Sequence, residues 1–196
     1  MGKRQEAALL TRKKLIIAAE KLISERGFEN VTIQDIAAQA GVAVGTFYTY
    51  FKRKEDVVGE ITQSNFSEME RRTIESNDNV YEKLTFFLSE SMNYIAETGL
   101  KIAQQWFSSV VDRTEDGTIK LNYDLKVISD ILRQGIASGE LKADMPVDDI
   151  AFWIVSEYYG ICTLWCMLDG SVDPTEKLRV FCKTRIRPML SENAVR

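Results

Sequence analysis

The chain has 196 residues, 45% of them apolar and 28% charged, with 11 glycines, three prolines and no histidine. That composition excludes a wholly disordered chain, and so few breakers favour long helices over a many-turned β-sandwich or barrel. The net charge of −4 is uneven: residues 1–54 carry +5 and residues 55–196 carry −9, so a basic head on an acidic body is expected to meet a polyanion.

The missing histidine removes the commonest general base and the commonest nitrogen ligand for metals. Cys162, Cys166 and Cys182 form no C-x-x-C pair, so neither a zinc ribbon nor a thioredoxin-type redox motif fits. No metal site and no cofactor are expected. An odd count of scattered cysteines suits a reducing cytoplasm, and the opening MGKRQEAALLTRKK lacks the apolar segment of a secretory leader.

Apolar Leu15, Ile16, Ala19, Leu22 and Ile23 recur at helix spacing and predict a helix over 8–26, closed by Gly27 with Phe28 folding back on its last turn. Thr32 and Asp35 then form a capping-box pair, with Val31 and Ile36 at the staple positions, so a second helix begins at Thr32. Gly41 permits a sharp stop, and a third helix runs from about Ala43 to Phe51, completing a helix-turn-helix. At roughly 100° per residue, Phe47 and Phe51 define the inner face of that helix. Gly45, Thr46 and Thr49 point the opposite way, and Tyr48 and Tyr50 flank them. Small residues let a helix lie close to base edges in a major groove, and hydroxyls bond phosphate oxygens. Lys52, Arg53 and Lys54 follow directly, placed for phosphate contact.

The run from Thr32 to Asp56, with its T-x-x-x-I-A opening, Ala-Gly-Val turn, G-T-F-Y-x-Y-F recognition helix and K-x-K-E-D start of the next helix, resembles the DNA-binding domain of the tetracycline-repressor (TetR) family. The resemblance implies an all-α protein of about nine helices. In it, a helix-turn-helix DNA-binding domain (1–53) precedes a helical regulatory and dimerisation domain (54–196). It further implies a homodimer that binds double-stranded DNA at a palindromic operator, usually as a repressor, and is released by a small-molecule effector. Thr32, Thr46, Tyr48, Thr49, Tyr50 and Lys54 become the expected DNA contacts, with Gly45 allowing close approach and Lys52 reaching phosphate. Three positions depart from the family. Ala43 lacks the capping hydroxyl of a common serine. Val44 replaces a frequent polar residue and either meets a thymine methyl or simply packs. Arg53 stands where Asn or Ser is frequent.

The body carries no comparable motif. Helices are expected over 54–75, 79–97, 100–112, 119–138, 147–169 and 174–190, with the tail SENAVR fraying. The run from Ile150 to Leu168 is mostly apolar, but Glu157 in its middle argues against a membrane span and for a helix covered on more than one side. With the last helix it is the expected dimer interface, through Tyr159, Gly160, Thr163, Cys166 and Met167, together with Phe181. Trp106, Tyr123, Trp153 and Tyr158, each with a polar tip on an apolar ring, are expected to line the effector cavity. Glu157 either binds the effector or pairs with an arginine.

Two other function classes stand beside this one. The chain is otherwise a DNA-binding regulator with no small-molecule inducer, controlled by a protein partner or by the Cys162 and Cys166 thiols, or acting as an activator. A helical enzyme is disfavoured, because no nucleophile motif and no paired carboxylates in an evident cleft are present.

Overall fold

The computed structural model describes residues 3–101, 103–104, 107 and 115–195. Among them the secondary structure is helical, with no strand beyond one isolated antiparallel bridge between Leu141 and Ala194. The chain divides into two compact units, Met1–Glu68 and Met69–Arg196.

The first unit opens with α1, Lys3–Arg26, which starts five residues before the expected position because nothing in KRQEAA breaks a helix. Gly27 ends it with φ 77°, and a short 3₁₀ turn, Phe28–Asn30, follows. Helix α2, Ile33–Ala40, begins with the predicted capping box between Thr32 and Asp35 and stops at Gly41 in the left-handed conformation. Helix α3, Val44–Tyr50, and α4, Lys54–Glu75, complete the unit. Leu15, Ala19 and Leu22 of α1 bury against Val31, Ile36, Phe47 and Phe51. Val57 and Ile61 of α4 belong to the same core, and the unit runs on into α4 as far as Glu68.

The second unit contains α5 (Val80–Thr98), α6 (Glu115–Ala137) and α7 (Val147–Met167). It ends in a helical segment that runs as α8 (Pro174–Phe181), a π-helical turn (Cys182–Ile186) and α9 (Arg187–Glu192). Asn79 and Glu82 form the capping box of α5, and Asp173 caps α8 ahead of Pro174. Helices α5, α6, α7 and α8 pack on one another around Leu84, Leu88, Met92, Ile128, Ile131, Leu132, Ile150 and Ile154. The widened turn replaces the continuous α-helix expected over 174–190. It sits directly before Pro188, whose ring opposes the carbonyl four residues earlier.

Most of the helix expected over 100–112 lies outside the described residues. The tail corrects the expectation of fraying. Lys142 N–H donates to the Asn193 carbonyl at 2.8 Å and Val195 N–H to the Glu140 carbonyl at 3.1 Å, so backbone pairing ties the C-terminus to the loop after α6.

Candidate nucleic-acid interface

Helix α3 is only seven residues long and is held by its inner face. Phe47 is fully buried, with its ring 5.5 Å from that of Phe51 and 5.7 Å, edge-on, from that of Tyr48. The opposite face is open: Gly45, Tyr48 and Thr49 are exposed, and Val44, Thr46 and Tyr50 are half-buried. Thr49 donates its hydroxyl to the Gly45 carbonyl at 3.2 Å, leaving its oxygen as an outward acceptor. A Cβ built on Gly45 meets nothing within 4 Å. A helical glycine costs roughly 0.5–1 kcal/mol relative to alanine, and nothing inside the domain requires it here.

Ala43 is the residue before α3 and makes no side-chain cap, as its sequence identity predicts. The next turn is organised by Asp56, whose carboxylate accepts the backbone N–H groups of Lys52 at 2.8 Å and Arg53 at 3.0 Å. This leaves both cationic side chains exposed beside a groove of about 420 Å³ that Thr32, Gln34, Lys52, Arg53 and Lys54 help to line.

Two expected DNA contacts are already engaged within the domain. Lys54 donates its ammonium to the carbonyls of Phe28, at 2.6 Å, and Val31, at 2.7 Å, and lies 3.9 Å from the centroid of the Phe28 ring. Thr32 accepts the Asp35 N–H at 3.1 Å and donates to the Asp35 carboxylate at 2.5 Å. These hydrogen bonds hold the Asp35 carboxyl below its ordinary value.

The expected effector residues do not converge. Trp106 lies outside the described residues. Trp153 is 59% exposed, and Glu157 is also on the surface of α7, because both fall on the face opposite Ile154, Tyr158 and Trp165. The pairing of Glu157 with an arginine is likewise absent among the described ion pairs. Tyr123 and Tyr158 do turn inward. Tyr158 is 2% exposed, and its hydroxyl makes no hydrogen bond of ordinary geometry among the described residues; the Ser91 hydroxyl is the polar group that faces it. Tyr123 is half-buried and bonded to Glu70.

Beside them lies a pair that sequence reasoning missed. Lys120 and Asp124 form an ion pair within α6, and Tyr159 donates its hydroxyl to Asp124 at 2.9 Å. A Lys–Asp pair four residues apart reads in sequence as a solvated helix face; here the Asp124 side chain is buried. Burial pushes the Lys120 ammonium below its ordinary value, partly opposed by Asp124, and raises the Tyr158 and Tyr159 phenols.

The stripe predicted for the dimer interface also divides. Gly160 and Thr163 are half-buried and Met167 is 76% exposed, so these reach the open face of α7. Tyr159 and Cys166 instead turn inward, toward Asp124 and the core, and Phe181 is half-buried. Phe152, Trp153 and Leu164 take their places on the open face, and Val180 of α8 is exposed as well. Helix α7 is long and apolar enough to cross a membrane by length and composition, yet its other face is packed into the unit's core.

Residues 15–61 match the sequence profile for bacterial regulatory proteins of the tetR family. The fatty acid metabolism regulator protein of Bacillus subtilis is 31% identical over 169 residues, spanning 81% of this chain and 85% of that protein. The transcriptional repressor KstR2 of Mycobacterium tuberculosis is 27% identical, spanning 70% of this chain and 72% of the repressor. Among solved structures, FadR from Bacillus subtilis in complex with stearoyl-CoA is 26% identical, with a TM-score of 0.58 over 91% of this chain and 97% of that one. FadR from Bacillus halodurans shares the fold with a TM-score of 0.61 over 92% of this chain and 94% of that one.

Proposed function

Because the chain belongs to the TetR family and is a DNA-binding transcriptional regulator, we propose that it acts as a homodimeric repressor on a palindromic operator in the cytoplasm, and that a fatty-acyl-CoA thioester releases it. The outward face of α3 carries the DNA-binding half of this reading: a Cβ on Gly45 would meet nothing within 4 Å, and exposed Tyr48 and Thr49 flank it beside exposed Lys52 and Arg53. Residues 1–53 supply the DNA contacts and residues 54–196 the regulation.

Each recognition helix enters one major groove, with half-sites roughly 34–36 Å apart or a multiple of that spacing. Gly45 lets the backbone approach the bases; Val44, Thr46, Tyr48, Thr49 and Tyr50 present methyl and hydroxyl groups to the groove and phosphates. Lys52 and Arg53 neutralise phosphate. Thr32 and Lys54 shape the domain that presents them. The second copy covers the open face of α7, where Phe152, Trp153, Leu164 and Met167 form an apolar stripe around Gly160. The chemistry is binding without turnover.

The effector class is supported by the relative that regulates fatty acid metabolism and by the structural neighbour that holds stearoyl-CoA. The buried Tyr158 hydroxyl and the Lys120–Asp124–Tyr159 cluster are the polar groups of the unit's interior best placed to orient such a ligand. A ligand that prefers one arrangement of the body lowers operator affinity, and operator DNA weakens the ligand by the same factor, typically 5- to 150-fold. The test is operator selection from random duplex DNA, followed by release of the selected duplex with stearoyl-CoA. A palindrome bound by dimers and freed by the thioester is the expected result. No enrichment at low salt would remove the DNA reading, and a palindrome that stearoyl-CoA leaves bound would remove the effector.

A further inference from the structure

At the C-terminal end of α4 the chain forms a pocket of about 160 Å³, lined by Arg72, Thr73, Ser76, Asp78, Lys83 and Phe86. At about 30 Å³ per water it has room for roughly five waters, which suits a compact polar group and not an acyl chain. Lys83, near the start of α5, is only 8% exposed. Its ammonium donates to the Ile74 carbonyl at 3.2 Å and to the Gln134 side-chain oxygen at 2.9 Å. Both acceptors are neutral, and an ammonium has a third N–H to place. The Arg72 guanidinium carbon lies over the Phe86 ring, 4.9 Å from its centroid.

Neither cation has a carboxylate in ion-pair range among the described residues. The Ile74 carbonyl belongs to the last turn of α4, so the partial negative charge of that helix end accounts for part of the Lys83 charge. Arg72 stands in that same last turn, with its side chain exposed. Asp78 is the only carboxylate of the lining and leaves the pocket with one net positive charge. Burying an ammonium without a counter-charge is costly, and an anion entering here offsets that cost. Two cations of different kinds, a planar fork and a point charge, match the oxygens of a phosphoryl group better than a single carboxylate.

We propose that this pocket binds a phosphate or diphosphate group between Arg72 and Lys83. Two sources carry that chemistry, the phosphates of a coenzyme A thioester and free phosphate or diphosphate. The first assignment rests on the effector reading above; the site itself does not. Because the lining comes from the end of α4 and the start of α5, an occupant grips the segment that joins the two helices.

The experiment is calorimetric titration of the full chain with pyrophosphate, coenzyme A and phosphate-free pantetheine, for the wild type, Arg72→Gln and Lys83→Met. Pyrophosphate and coenzyme A bind the wild type, and pantetheine does not. Arg72→Gln weakens both by about tenfold or more, as loss of a charge-assisted hydrogen bond does, with an unchanged melting temperature. Lys83→Met adds a second reading if it folds; Arg72→Gln decides alone if it does not, since Arg72 lies on the exposed side of the pocket. Binding of pyrophosphate without coenzyme A assigns the site to free phosphate. Failure of both ligands at millimolar concentration overturns the proposal, as does an Arg72→Gln variant that binds them like the wild type. Release of operator by stearoyl-CoA is read separately. If the thioester releases wild type and Arg72→Gln at the same concentration, the effector reading stands and the coenzyme A assignment of the site is overturned; the site itself is decided by the pyrophosphate titration. If pyrophosphate binds through Arg72 but stearoyl-CoA releases nothing, the site stands and the effector is wrong.

Discussion

The ammonium of Lys54 lies 2.6 Å from the backbone carbonyl of Phe28 and 3.9 Å from the centroid of that residue's ring. The first residue of α4 thus ties down the turn between α1 and α2. The expected effect of Lys54→Met is loss of stability, about 1–3 kcal/mol, because two carbonyl acceptors lose a charged donor. Lys52→Ala and Arg53→Ala leave the unfolding midpoint in place and each lower the slope of log affinity against log salt by about one. Urea unfolding with salt-dependent operator titration separates the two behaviours. A Lys54→Met variant of normal stability and reduced salt slope would restore Lys54 as a phosphate contact.

Two helical glycines should respond oppositely to alanine. At Gly135 an added Cβ would sit 2.3 Å from Val80 Cγ2 and 2.9 Å from Leu141 Cδ1. Overpacking of this kind costs about 1–3 kcal/mol. It also disturbs the start of α5, where the Glu140 carboxylate accepts the Val80 N–H at 3.1 Å. At Gly45 the added methyl has open space, so Gly45→Ala holds or raises the melting temperature while weakening operator binding by tenfold or more. If Gly45→Ala bound operator like the wild type, close backbone approach would not be the reason for that glycine.

Leu164→Glu tests the second copy. Leu164 is exposed on the open face of α7, so the protomer keeps its helical content. A charge placed in the middle of an apolar interface dissociates it, and sedimentation velocity is expected to shift from dimer to monomer. A monomeric wild type, or a dimeric Leu164→Glu, would move the interface elsewhere.

The acid limb of stability should trace to two caps. Asp35 and Asp173 are held below the ordinary carboxylate value of 3.8, first through hydrogen bonds from the hydroxyls of Thr32 and Thr175. A carboxylate that is more acidic in the fold adds stability above its unfolded value and loses it as pH falls through the folded one. The unfolding midpoint therefore falls as pH drops below about 4. The Asp35→Asn, Asp173→Asn double variant retains cap acceptors and shows a flatter acid limb. An unchanged limb would place the titrating groups elsewhere.

Cys162, Cys166 and Cys182 are buried, and burial raises each thiol above its ordinary value. The expected outcome is that iodoacetamide leaves all three unmodified at neutral pH in the folded protein, and that Cys162→Ser, Cys166→Ser keeps normal regulation. Rapid alkylation with loss of operator binding would favour thiol control over a small-molecule effector.

The DNA-binding half of the protein is legible in its sequence. The determinants of α2 and α3 are local: a Thr32–Asp35 box, a glycine stop and two phenylalanines one turn apart act within a few residues of themselves. The starts of α5 and α8 were legible for the same reason, since Asn79, Asp173 and Pro174 act on the next turn. What sequence could not decide was which side of an element meets what. Helix α7 is apolar around most of its circumference, so its hydrophobicity carries no phase, and only packing against α6 and α8 turned Tyr158 and Cys166 inward and Trp153 and Met167 outward. Lys54 and the Lys120–Asp124 pair make the same point for charge. Their partners are backbone carbonyls 23 and 26 residues away and a tyrosine 35 residues away. Local propensity and capping belong to the sequence by itself, whereas burial is a property of the assembled neighbours, and it exists only once the chain has folded.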